Sequence, residues 1–116
     1  IKGDLDGAAA AWDVAVAENP QSVLTLVRAA DFHLRLRQDA NAALERFVAA
    51  RALGTGTPDA RRYVQQKIVD LYLGPLRDDG RAMVELRRLI DGFPGTREAD
   101  GARAALAELK ARRAES

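Results

Sequence analysis

Apolar and small residues recur along this chain three and four positions apart, the spacing of one face of an α-helix. Leu26, Ala29, Ala30 and His33 form one such face, widened by Leu24, Val27 and Leu34. Near the end, Ala99, Ala102, Leu106 and Leu109 make a stripe, while Arg97, Arg103, Glu108, Lys110 and Arg112 fall largely off it. Breakers punctuate the pattern: Asn19-Pro20, the run from Gly54 to Pro58, Gly74-Pro75 and Phe93-Pro94-Gly95, with weaker turn signals at Gly3-Asp4, Gln38-Asp39 and Asp78-Asp79-Gly80. The pattern predicts six helices, over about 4–18, 21–37, 39–53, 58–74, 78–92 and 96–114.

Several starts carry a physical reason. Thr57 precedes Pro58, which suits a first turn where its missing N–H costs nothing, and Asp59 follows at the positive end of the helix dipole. Asp39 and Thr96 are side chains that cap free N–H groups. Connections this short imply antiparallel neighbours, that is, helical hairpins. The last helix is amphipathic on one side only, as expected of a helix whose outer face meets water at the end of a stack.

The chain also repeats itself. Ala8, Ala11, Trp12 and Ala15 align with Ala43, Arg46, Phe47 and Ala50 at a constant offset, 43 − 8 = 35. Ala82, Leu86 and Leu89 follow the second set at 82 − 43 = 39, the four extra residues falling in the Gly54 to Pro58 loop. The intervening segments repeat too: Arg28 to Leu34 aligns with Lys67 to Leu73 at 67 − 28 = 39. Self-similarity at this period marks a helical repeat protein.

A small residue, then an aromatic four positions on, then a proline eight beyond it, resembles the second half of a tetratricopeptide repeat; Ala8, Trp12 and Pro20 have that order. The third copy keeps Ala82 and Pro94 with Leu86 at the aromatic position, and the middle copy keeps Ala43, Phe47 and Ala50 without the closing proline. In first-half positions, Leu26, Ala29, Ala30 and His33 stand where the family prefers Trp, Leu, Gly and Tyr, and Tyr72 matches the last of these. The ending Phe93-Pro94-Gly95-Thr96, with Ala99 and Ala102, looks like the divergent repeats of bacterial envelope scaffolds. The resemblance implies an all-α fold: an α-solenoid of antiparallel helical hairpins, about three repeats beginning mid-repeat and closed by an amphipathic helix. Residues 1–116 are then one repeat domain, part of a longer chain, whose opening helix lacks the helix that would cover the neighbourhood of Trp12. An upstream segment or another subunit supplies that cover, which leaves self-association through the open first helix as one route.

The resemblance further implies an interaction scaffold, with a concave face lined by the first helix of each repeat. Carried over in register, the partner-binding positions are Leu24, Val27, Arg28, Asp31 and Arg35, then Tyr63, Gln66, Lys67 and Asp70, with Leu34 and Leu73 alongside. Arg28 with Asp31 and Lys67 with Asp70 recur as the same charge pair, which fits either a shared ligand or an ordinary ion pair three residues apart. Family members that clamp a C-terminal carboxylate use Lys and Asn here. The negative Asp31 and Asp70 oppose that chemistry, and a mixed-charge peptide or partner helix fits better. The rival expectation is a structural or assembly module of a larger complex.

Composition narrows the remaining classes. Lys and Arg total 18 against 17 Asp and Glu, a net charge of +1, without the basic excess of a nucleic-acid protein. No cysteine is present, so thiolate metal sites and disulfides are excluded. No apolar run approaches a membrane span. His33 is the only histidine and falls where Tyr72 stands in the next repeat, so it reads as a packing residue and not a metal ligand or acid–base group. Trp12 likewise reads as core, while Gly54 and Gly56 read as turn residues and not a phosphate cradle. No catalytic motif is present, and neither enzyme activity nor a cofactor is expected of this segment. Arginine- and alanine-rich usage points to a GC-rich bacterial source, with cytoplasm and periplasm both open.

Overall fold

The computed structural model describes residues 2–115, and among these the fold is all-α. Six helices follow in order: α1 (Lys2–Glu18), α2 (Val23–Arg35), α3 (Ala40–Ala52), α4 (Pro58–Leu73), α5 (Asp79–Gly92) and α6 (Arg97–Ala114). Each lies within a few residues of its expected span. Asp39 and Thr96 cap α3 and α6 as expected, accepting from the backbone N–H of Ala42 and Ala99. Ser22 and Asp78 cap α2 and α5 in the same way. Gly54 and Gly56 both take positive φ (66° and 101°), the left-handed region that glycine enters without a Cβ clash, in keeping with their reading as turn residues.

The helices gather into two compact units, Ile1–Thr57 and Pro58–Ser116. In the first, an ion pair of 3.2 Å joins Asp6 near the start of α1 to Arg37 just past the end of α2, so these two helices run antiparallel. Arg46 of α3 reaches Asp13 of α1 at 2.9 Å. The core is Leu26, Ala29, Ala30, Phe32 and His33 of α2 with Ala43, Phe47 and Ala50 of α3, joined by Ala9 and Val16 of α1. Alanine at the contact faces lets helices come close without leaving voids.

In the second unit, Ile68, Val69, Leu71 and Tyr72 of α4 are buried with Ala82, Leu86 and Leu89 of α5 and with Ala99, Ala102, Leu106 and Leu109 of α6. The α6 stripe read from the sequence is therefore its buried face, and the charged residues read as lying off it are exposed. Arg62 near the start of α4 pairs with Glu98 near the start of α6 at 3.1 Å, so α4 and α6 run the same way. One polar pair lies inside: Gln65 donates to the Glu85 carboxylate (3.0 Å) and to the Glu85 carbonyl (3.1 Å). Satisfying that amide and carboxylate together keeps their burial from becoming a net cost.

The internal repeat is visible in the backbone and in the burial. The five buried residues of α2 all map, 39 positions on, to buried residues of α4: Gln65, Ile68, Val69, Leu71 and Tyr72. Ala43, Phe47 and Ala50 map to buried Ala82, Leu86 and Leu89. The turns match as well. Gln38 and Arg77, 39 apart, are the non-glycine residues at positive φ (51° and 47°), each just before a capping aspartate. The Asp39 N–H donates to the His33 carbonyl and the Asp78 N–H to the Tyr72 carbonyl, both at 2.9 Å. One helix–turn–helix design is thus used in each unit.

Helix α1 departs from the expected register. The sequence alignment puts Ala8, Trp12 and Ala15 on its packed stripe, but all three are only half-buried, and Ala9 (4%) and Val16 (9%) are buried instead. α2 covers the Ala9–Val16 side, which leaves the side equivalent to the α3 stripe uncovered. Trp12 is therefore core on one edge only, where its ring lies 6.5 Å from that of Phe32.

Candidate functional site

Each unit carries an open cleft beside its first-in-pair helix. In the first unit, the spacing of α2 puts Arg28, Asp31 and Arg35 on one stripe, three and four residues apart. Together with Trp12, Phe32 and exposed Leu36 they line a cleft of about 500 Å³ between α1 and α2. Its floor is aromatic and aliphatic, and its rim carries two guanidinium groups and one carboxylate. Of the other expected residues, Leu24 projects into solvent at 59% exposure and Val27 is half-buried, and neither lines the cleft.

In the second unit the expected residues engage one another along α4. The Lys67 ammonium sits over the Tyr63 ring, 5.4 Å from its centroid, a cation–π contact across four residues. Gln66 donates to Asp70 at 2.9 Å. The charges of Lys67 and Asp70 are thus met by Tyr63 and Gln66, and not by each other as an ion pair three residues apart would require. Gln66 also lines a mainly apolar cleft of about 450 Å³ with Val69, Leu73 and Leu86, and with Gly101, Ala102 and Ala105 of α6, bordered by Arg97 and Glu98. A Cβ at Gly101 would meet nothing within 4 Å, so the cleft is open there. Sequence reasoning missed Trp12, Phe32, Leu36 and the α6 contribution, because aromatic and small residues at helical spacing signal core and give no sign of an open flank.

His33 is 4% exposed, stacked edge-on against Phe32 at 5.5 Å, and its Nδ1 finds no hydrogen-bond partner among the described residues. Its pKa lies below the ordinary 6.5, chiefly because burial disfavours the charged ring; Asp13 and Asp39 pull the other way, and Arg37 and Arg46 add to the lowering. Among the described residues, no three His, Cys, Asp or Glu side chains gather as a metal site would require, and no helix is long and apolar enough to cross a membrane. No protein-family model matches this chain, and comparison with curated proteins finds no match.

Proposed function

We propose that this chain is a segment of a tetratricopeptide-like α-solenoid, about three helical hairpins, that holds a peptide or partner protein on the outer stripes of α2 and α4. One observation carries the reading. The 39-residue register that buries the same five positions in both helices also leaves matching positions outside the core, among them Leu24 with Tyr63, Val27 with Gln66, Arg28 with Lys67, and Asp31 with Asp70. A cation and an anion thus recur three residues apart beside an apolar or aromatic side chain. A repeated stripe of that chemistry suits a mixed-charge helix or extended segment bearing an apolar anchor. The role is one of binding and not of catalysis. A second role, assembly of a larger complex, draws its support from the uncovered side of α1.

The test is affinity capture from the protein's native cells with the chain immobilised, beside a variant with alanine at Arg28, Asp31, Lys67 and Asp70. A partner held by the parent and lost by a variant of unchanged helicity supports the stripes as the binding surface. A partner held equally by both contradicts it.

A further inference from the structure

The side of α1 that stays open has a counterpart twice in this molecule. Relative to Phe47, residues four before and three after, Ala43 (0% exposed) and Ala50 (3%), are sealed in the unit whose α3 packs against α2. Ala82 and Leu89 around Leu86 are each 0% exposed in the unit where α5 packs against α4. In α1 the same positions around Trp12 are Ala8 and Ala15, both half-buried, with Ala11 and Asp4 exposed on the same flank. The chemistry of the two surfaces is nearly identical, Ala-Trp-Ala against Ala-Phe-Ala at the same spacing. What α3 has and α1 lacks is a helix of the α2 kind.

Charge narrows the occupant further. From Gly3 to Glu18, α1 carries Asp4, Asp6, Asp13 and Glu18 and no cation. Asp6 and Asp13 already take Arg37 and Arg46 on the covered side. Asp4 and Glu18 lie at the two ends of the open flank, both exposed. The α2 stretch supplies matching signs at one of these ends: Arg35 and Arg37 lie at its C-terminal end, which an antiparallel helix brings to the Asp4 end of the flank.

We propose that this flank of α1 is a docking surface for a helix of the α2 type. The occupant is antiparallel and amphipathic, with aliphatic and small side chains three and four apart and basic residues toward its C-terminal end. Trp12 would then be enclosed from both sides. The surface meets the α2 cleft at Trp12, which lines both, but its variants at Ala8 and Ala15 leave the α2 and α4 stripe side chains in place.

Trp12 is the sole tryptophan and sits at the edge of the flank, so its emission reports docking directly. The repeat also dictates the construction: Asp4 stands where Asp39 does, 39 − 35 = 4, so a copy of residues 21–38 joined directly to Asp4 reproduces the native Gln38–Asp39 junction. In that fusion Trp12 emission should move to the blue and the melting temperature should rise. Ala8→Lys with Ala15→Lys should remove both effects while leaving the unfused chain's melting temperature nearly unchanged. A peptide of residues 21–38 added in trans should give a saturable form of the same blue shift. Emission unchanged in both fusion and titration would overturn the proposal, as would a shift that survives the two lysines. Concentration-dependent blue shift in the unfused chain alone would overturn it in favour of a second copy as the occupant.

Discussion

His33 shows what a buried titratable side chain does to stability. The folded state disfavours its proton, so as pH falls the unfolded chain binds that proton first. The stability that comes from a neutral His33 is complete above the ordinary value of 6.5 and is lost as pH drops through 6.5 toward the lower folded value. Tyr72, the residue at the equivalent position of α4, is likewise a buried ring. His33→Tyr should therefore flatten the fall of melting temperature between about pH 7.5 and pH 5. Equal slopes in the two chains would show that His33 does not control this window. Phe47 and Trp12 make a second contrast at this scale, since they share a repeat position but not an environment. Phe47→Ala should cost about 3–5 kcal/mol, the range for emptying a sealed aromatic site. Trp12→Ala should cost clearly less in urea unfolding, because one side of that ring already meets solvent. Equal costs would mean that α1 is as well packed as α3.

At the scale of the element, the two capped turns are the clearest shared feature. Asp39→Ala and Asp78→Ala should each cost about 1 kcal/mol, the usual cost of losing a helix cap. Thermal or urea unfolding would check this, and a negligible loss at either position would mean that its cap is not stabilising. Helix ends were legible in the sequence because prolines, glycines and capping side chains act locally. The face of α6 was legible because its charged residues leave a single apolar stripe. The face of α1 was not. Four consecutive alanines, Ala8 to Ala11, are equally apolar, so periodicity cannot choose between a stripe on Ala8 and one on Ala9. That choice depends on which neighbouring helix is present. The partners of Lys67 were equally hidden: Asp70 three residues on and Tyr63 four residues back are both within reach along a helix, and only side-chain geometry selects the ring.

At the scale of the whole molecule, the 39-residue period links two units that cluster separately. The candidate binding stripes follow from the same period, because burying five positions in the same register leaves matching positions outside. Their repetition was legible as spacing. The clefts beside them were not, since each depends on what a second helix leaves uncovered, as Trp12 and Phe32 show in one unit and Gly101 and Ala105 in the other.

The central claim is that the repeated stripes of α2 and α4 are where a partner is held. The most direct test is nuclear magnetic resonance of the isotopically labelled chain titrated with the partner segment selected by binding to it. The account predicts shifts concentrated at Leu24, Arg28, Asp31, Tyr63, Lys67 and Asp70, with α3 and the outer face of α6 little affected. Shifts confined to other faces, or to only one of the two stripes, would contradict a site built by the repeat.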